Sequence, residues 1–479
     1  MIHEMSVWSE RIHRSRAIAI AVPALAALSV WACSHAVVLA AAPNVILIVS
    51  DDQRPDTIAA LGNDEIRTSA LDRLSREGIA FTRAFCANPI CTPSRAEILT
   101  GANSFRNGVH DFGRAIRGDF TLMPVALQKN GYHTCYVGKW HNDGRPTQRG
   151  YTETMGLFAG GGGKWAKDRV DFKGVPITGY RGWVFQDDAG NKFPERGVGL
   201  TADTSRQIAD AAILFLTRRS TTPFFLHVNF TAPHDPLIPS DDPRWQYDPR
   251  SLSLPQPFYP RHPFEHGNGN GRDERLLPWP RTEQIVRQTK AAYYSVISDM
   301  DEQIGRILAE VDESGMTDNT YIVFASDHGV GIGSHGLRGK QSMYEHTQRI
   351  PLLMRGPGIR AGERRDTLVY LRDIFPTVCE WTDTPIPETV DGRSLVPAIR
   401  DNSYLVRTEV YGYFRDRQRM IRTQRWKLIE YPRIQRLQLF DLQMDPQETN
   451  DLSRDLLHLQ VVNRMRTQLH VWLAEQAIR

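Results

Sequence analysis

Four short apolar runs, each ending in charged or imidazole side chains, constrain the fold of this chain more than any other feature. They are Asn44–Ser50 (NVILIVS), His133–Val137, Phe224–Phe230 (FFLHVNF) and Thr320–Ala325. Continuous β-branched and aromatic runs without polar alternation suit strands covered on both faces, as in a parallel sheet. Between them, Ser69–Glu77, Ala202–Arg218 and Thr289–Ser314 carry amphipathic helical spacing. This alternation predicts an α/β fold, a large, mainly parallel mixed sheet flanked by helices. Pro and Gly gather at 384–397 (TPIPETVDGRSLVP). Beyond them Glu409–Phe414, Arg419–Arg422, Trp426–Tyr431 and Leu437–Leu442 read as short strands, and Asp451–Ile478 as a helix. The division predicted is an N-terminal segment 1–42, a main domain 43–384, and a smaller C-terminal α+β domain 385–479 with an antiparallel sheet.

In open α/β sheets, ligands bind beyond the carboxyl ends of the strands. Here those ends run into Asp51-Asp52, Gly138-Lys139-Trp140-His141, Thr231-Ala232-Pro233-His234 and Ser326-Asp327-His328-Gly329. Two adjacent carboxylates in a pocket repel unless a cation or a shared proton relieves them. Asp327 and His328 join them, and three carboxylates favour Ca²⁺ or Mg²⁺ while the imidazole admits Mn²⁺ or Zn²⁺. Cys91-Thr92-Pro93-Ser94-Arg95 precedes a helical stretch that stops at Gly101. Pro93 suits the first turn, so Cys91 falls at the helix N-terminus, where anions are favoured and Arg95 can face the same anion. The residues alone suggest a thiolate nucleophile there, against the blander reading of a buried structural cysteine. Two irregular stretches, Gly150–Gly199 and Asp235–Pro280, follow strand ends and are candidate pocket walls. Gly160–Gly163 with Lys164-Trp165 lacks the spacing of a Walker loop.

Composition narrows the function. The 58 basic and 55 acidic side chains leave a net charge of +3, with no long block of one sign, which gives no electrostatic case for nucleic-acid binding. Arg11, Arg14 and Arg16 precede an apolar run from Ala17 to Ala42 that ends in small residues at Leu39–Ala42. That is the layout of an export signal, and the expected location is periplasmic or secreted. An uncleaved anchor is the alternative, and with it the sole expected membrane contact. Cys33 is a weaker lipoprotein site because of Trp31.

Cys91–Arg95 matches the C-x-P-S-R signature of type I sulfatases, the formylglycine-dependent enzymes of the alkaline phosphatase superfamily. Asn44–Asp52, Gly138–His141, Pro233-His234 and Ser326–Gly329 resemble the family's other blocks, in the family's order. So do Gly339-Lys340 with Tyr344-Glu345-His346, Arg349–Leu352, Asp373–Thr377, Asp391–Leu395 and Leu439–Leu452 (LFDLQMDPQETNDL). The resemblance covers nearly everything from Pro43 onward.

The resemblance implies an alkaline-phosphatase-like fold and a sulfatase acting on a sulfated polysaccharide or oligosaccharide. A maturation enzyme would oxidise Cys91 to formylglycine. One hydroxyl of its hydrate would attack sulfur, and the other would expel sulfate from the sulfated enzyme. Asp51, Asp52, Asp327 and His328 would ligate one divalent metal together with residue 91, Ca²⁺ being the family default. Arg95 would hold the diol and the anion, and Lys139 and Lys340 would clamp sulfate oxygens. His141 corresponds to the base on the second hydroxyl, and His234 to the acid on the leaving oxygen. His328 stands where many members have asparagine, although another branch carries Asp-His-Gly, and it opens the metal's identity. Other readings are a phosphodiesterase or phosphonate monoester hydrolase of the same superfamily, with His234, His335 and His346 as spare imidazoles for a second metal, and a catalytically silent glycan-binding relative. With Cys91 consumed and Cys33 removed, Cys86, Cys135 and Cys379 form an odd set, so at least one thiol is free or paired between chains.

Overall fold

The alternating apolar strands build one nine-stranded sheet. The computed structural model describes residues 41–162, 170–218 and 221–478, so the export segment, Cys33, Gly163 and Lys164-Trp165 lie outside the described residues. The strands run in the spatial order Glu363–Arg365, Ile79–Phe81, Leu352–Arg355, Thr320–Ser326, Asn44–Ser50, Phe224–Asn229, His133–Lys139, Glu153–Ala159 and Val184–Gln186. The five from Thr320–Ser326 to Glu153–Ala159 are mutually parallel. Leu352–Arg355 and Val184–Gln186 run antiparallel to their neighbours. The sheet is therefore mixed and mainly parallel, as the sequence predicts.

The central strand shows why such runs must be apolar throughout. Val45, Leu47 and Val49 join one core with the helices Cys91–Thr100, Met123–Lys129 and Ile374–Trp381. Ile46 and Ile48 point the other way, into a core with Ser69–Glu77, Thr204–Leu216 and Glu283–Glu313. All five side chains are fully buried, and burial of each contributes about 1.5–3 kcal/mol.

Several boundaries move for identifiable reasons. The long helix expected at 289–314 starts earlier, at Glu283, because the Thr282 hydroxyl caps it by accepting the Ile285 N–H at 3.3 Å. The terminal helix spans Leu459–Ile478 and not Asp451–Ile478. Asp451 is held by the amides of Leu439 and Ser453 at 3.1 and 3.0 Å, and Asp455 caps a single 3₁₀ turn before the helix begins. The shortest strands of the large sheet, and a three-stranded sheet of Val369–Tyr370, Ala84–Phe85 and Arg349–Ile350, have too few residues to leave a pattern.

The C-terminal segment forms the expected antiparallel sheet, in the order Glu409–Phe414, Gln418–Thr423, Trp426–Tyr431 and Arg436–Asp441. The terminal helix seals it through Val462, Met465 and Leu469, packed on Ile421, Leu428 and Leu439. Cys86, Cys135 and Cys379 are free thiols, and all three are fully buried, so among the described residues no cysteine is exposed for a bridge between chains. Among the described residues, no helix is long and apolar enough to cross a membrane.

Candidate active site

The carboxyl ends of the parallel strands converge as their polar residues require. Register pairs Val49 with Ala325 and with Asn229, so Asp51 and Asp327 leave the sheet side by side. Asp52 adopts a left-handed φ of 67°, a conformation costing about 1–3 kcal/mol outside glycine. It is held from three directions. Its N–H donates to Asp327 Oδ1 at 3.1 Å, the Tyr293 hydroxyl donates to its carbonyl at 2.6 Å, and the next amide, Gln53, donates to Ser326 Oγ at 3.0 Å.

Cys91 is the first residue of the buried helix Cys91–Thr100, with Ile90 extended before it. Pro93 removes an N–H that has no intrahelical partner in the first turn. Gly101 ends the helix in the left-handed conformation, at φ 62°, and its N–H returns to the Glu97 carbonyl at 2.9 Å. One turn along from Cys91, Arg95 donates through Nε to Asp327 Oδ2 at 3.2 Å and through Nη1 to Asn229 Oδ1 at 2.6 Å, and its Nη2 lies 3.1 Å from the same Asp327 oxygen.

Lys139 reaches the site through a β-bulge. Register shifts between Val137 and Gly138, and Gly138 takes φ 87° where a Cβ would lie 2.1 Å from the Asn229 carbonyl. Lys139 then bonds Asp51 Oδ2, which the Tyr180 hydroxyl also bonds. On the other side, Lys340 Nζ lies 2.9 Å from Asp52 Oδ1 and 3.2 Å from Cys91 Sγ. His234 Nε2 is 3.9 Å from Asp52 Oδ2, and its Nδ1 bonds the Asp235 carbonyl at 2.6 Å. His141 stands between Phe112 and Trp183, with ring centroids at 5.8 and 5.3 Å.

These contacts separate the titratable groups. Against burial, Lys139, Lys340 and His328 hold the Cys91 thiol well below its ordinary value. Burial lowers His141, with its interaction with Cys91 opposing, so its imidazole is neutral at pH 7. Against burial and Lys340, the carboxylates of Asp52 and Asp235 raise His234 to about 9. One imidazole is therefore disposed as a base and the other as an acid.

The donor set fits a divalent cation. Ligand atoms of Asp51, Asp52, Cys91 and His328 all lie within 4.8 Å of one another and are buried. Asp327, the fifth expected ligand, lies beside this quartet, its Oδ1 accepting the Asp52 and His328 amides at 3.1 and 2.9 Å and its Oδ2 accepting Arg95 Nε at 3.2 Å. Two carboxylates, an imidazole and residue 91 form a hard-to-borderline set of the kind that Ca²⁺, Mg²⁺ or Mn²⁺ accepts.

Comparison with known proteins agrees with this geometry. The family model described as Sulfatase matches residues 43–384. The chain belongs to the type I sulfatase family. It is a sulfuric ester hydrolase of the alkaline phosphatase superfamily. A second model, for the C-terminal part of N-sulphoglucosamine sulphohydrolase, matches residues 333–475. An arylsulfatase of Clostridium perfringens is 30% identical over 438 residues, covering 86% of this chain and 90% of the relative. An N-acetylglucosamine-6-O-sulfatase of Bacteroides thetaiotaomicron is 27% identical over 494 residues, covering 86% of this chain and 82% of the relative. The structure of BT4656 in complex with its substrate D-glucosamine-2-N,6-O-disulfate superposes with a TM-score of 0.73 at 24% identity, covering 91% of this sulfatase chain and 98% of the other.

Some residues of the site escape sequence reasoning. Asn229 carries a usable signal, being a polar residue two positions after His227 at the end of an apolar strand. His227 itself stays in the sheet, its Nδ1 bonded to the Tyr151 hydroxyl at 2.7 Å. Tyr180 comes from the irregular stretch after Gly150, and Glu274 from the stretch after Asp235. Glu274 is fully buried and accepts the Arg338 and Gly339 amides at 3.0 and 2.8 Å, fixing the backbone that presents Lys340. His335 and His346 do not reach the site. They stack on Tyr344, at 3.8 and 5.8 Å between centroids.

Proposed function

We propose that this chain is an exported sulfatase that hydrolyses sulfate esters of a sulfated polysaccharide or its oligosaccharides, with residue 91 oxidised to formylglycine by a maturation enzyme. The observation that carries this reading is the placement of Cys91. It opens a buried helix, with Lys340 3.2 Å from its sulfur and Asp51 Oδ1 at 3.4 Å. The relative that acts as an N-acetylglucosamine-6-O-sulfatase and the complex with a disulfated glucosamine support a carbohydrate ester. The arginines and apolar run before Ala42 support export.

In this reading Lys139, Lys340 and Arg95 bind the sulfate oxygens and neutralise charge as it develops in transfer. Neutral His141 takes a proton at residue 91, and protonated His234 delivers one to the departing alcohol oxygen. Formylglycine supplies a hydroxyl pair, one member to bond sulfur and one to release it. Asp51, Asp52, Asp327 and His328, together with residue 91, would hold one divalent cation, Ca²⁺ by family default. When bound, that cation supplies Lewis acidity toward residue 91 and the sulfate oxygens.

A two-metal phosphatase would need a second donor set. Asp52, His234 and Asp235 are the nearest group, but Arg272 bonds both oxygens of Asp235 at 2.9 and 2.6 Å. One metal per chain is therefore expected. The test is sulfate release from 4-nitrophenyl sulfate and from a panel of sulfated glycans, with metal counted per chain by mass spectrometry. Release of sulfate with one metal bound supports the reading. Two metals, and phosphate esters cleaved in preference, would contradict it.

A further inference from the structure

Tyr180 enters the site from the irregular stretch after Gly150, and its backbone is strained there. Its φ of 53° lies in the left-handed region, which a bulky aromatic residue rarely adopts. Contacts on both sides hold it. After it, the Trp183 N–H donates to the Tyr180 carbonyl at 3.0 Å. Before it, Thr178 Oγ1 accepts from Arg272 at 3.2 Å. Gly179 passes so close to the segment after His234 that a Cβ would lie 2.4 Å from the Asp235 carbonyl.

The side chain delivered this way is buried and touches three groups with different tasks. Its hydroxyl donates to Asp51 Oδ2, the oxygen that Lys139 also bonds. Asp51 Oδ1 is left facing residue 91, 3.4 Å from the sulfur. Lys139 Nζ lies 5.1 Å from the centroid of the Tyr180 ring. The His234 imidazole meets the same ring edge-on, with centroids 4.8 Å apart at 75°, and Trp183 backs it at 4.9 Å. A phenol can orient a carboxylate without adding positive charge, so it does not repel a bound cation as another ammonium would.

We propose that Tyr180 is a positioning residue of this site: its hydroxyl pins Asp51 so that Oδ1 is left for the cation, and its ring keeps Lys139 and His234 in place. The proposal rests on the sulfatase reading for the reaction, while its cation-binding half stands on the donor set alone. Outer partners of this kind orient the ligands they touch, and their loss costs about 10–100-fold in metal affinity or activity. The strained backbone of Tyr180 is then the cost of bringing one side chain to three groups at once.

The experiment separates the hydroxyl from the ring. The full chain, matured and stripped of metal with a chelator, is titrated calorimetrically with Ca²⁺ and with Mn²⁺. Tyr180→Phe, which keeps the ring, should bind the preferred cation about 10–100-fold more weakly than wild type. Its rate on 4-nitrophenyl sulfate should be low at limiting cation and rise by at least about tenfold as cation is added, a rescue that a merely structural role would not give. Tyr180→Leu, which loses the ring as well, should stay slow at saturating cation, and slower still on a sugar sulfate, whose leaving oxygen depends on His234. Equal cation affinity of Tyr180→Phe and wild type would overturn the proposal, as would a lost rate that excess cation does not restore, or a wild-type chain that binds neither cation. Tyr180→Leu matching Tyr180→Phe at every cation concentration would overturn the role of the ring. Hydrolysis of 4-nitrophenyl sulfate by the wild-type chain reports on the sulfatase reading by itself.

Discussion

The ammonium of Lys340 lies 3.2 Å from the sulfur of Cys91 and at the same time 2.9 Å from Asp52 Oδ1. A single cation thus ties the expected nucleophile to the expected metal ligands. Lys139 does the same from the opposite side through Asp51. Removing such a preorganised donor from a buried anion site costs about 10²–10³ in kcat. Lys340→Ala is expected to lose that much in sulfate ester hydrolysis, with metal content unchanged, as steady-state rates and elemental analysis will show.

Glu274 sits behind Lys340, gripping the two amides before it, and is itself paired with the fully buried Arg281. Glu274→Ala should lower kcat roughly 10–100-fold, the usual effect of losing an outer partner of a site. The decisive readout is a double-mutant cycle. In Lys340→Ala the added Glu274→Ala change should cost little more activity, because both act through one ammonium. Fully additive losses would show that Glu274 serves folding alone. Since breaking a buried pair costs about 3–5 kcal/mol of stability, rates belong well below the melting temperature of each variant.

His234 is expected to protonate the departing oxygen, and the need for that proton depends on the leaving group. His234→Ala should therefore reduce hydrolysis of a sugar sulfate far more than that of 4-nitrophenyl sulfate, within the roughly 10²–10⁴ range of general acid catalysis. Equal losses on both substrates would place His234 in binding and not in proton transfer.

Acid should unfold this chain through histidines away from the site. Burial lowers His227, His262 and His335 to about 3. A base depressed in the folded state stays neutral there while the unfolded chain takes up protons below its ordinary value of about 6.5. The stability these groups contribute is thus complete above that pH and is lost as pH falls toward 3, by up to about 1.4 kcal/mol per pH unit for each. Melting temperature should drop between pH 7 and pH 5. His262→Gln, which keeps a donor for the His335 carbonyl that His262 Nδ1 now bonds at 2.8 Å, should flatten the drop.

Much of this is legible in the sequence because the large sheet is built from runs that leave no alternative. Val45–Val49 can be apolar at every position only if both faces are covered, and Asp51, Asp52, Asp327 and His328 follow from where such strands end. The Cys91–Arg95 motif places its own helix, since Pro93 and Gly101 mark the start and the stop. What the sequence hides depends on contacts between distant segments. Tyr180 is one aromatic among many after Gly150 until the fold brings its hydroxyl to Asp51. Glu274 looks like a solvated charge, because nothing near it announces the amides of Arg338 and Gly339.

The central claim is that residue 91 becomes formylglycine. The measurement is a mass spectrum of the tryptic peptide Ala84–Arg95 (AFCANPICTPSR), from chain co-expressed with a formylglycine-generating enzyme. This peptide carries its own control, because Cys86 is followed by Ala87-Asn88-Pro89, lacks the x-P-S-R that follows Cys91, and should remain a thiol. The account predicts sulfur replaced by aldehyde oxygen at Cys91 alone. A peptide with both cysteines intact under those conditions would contradict it.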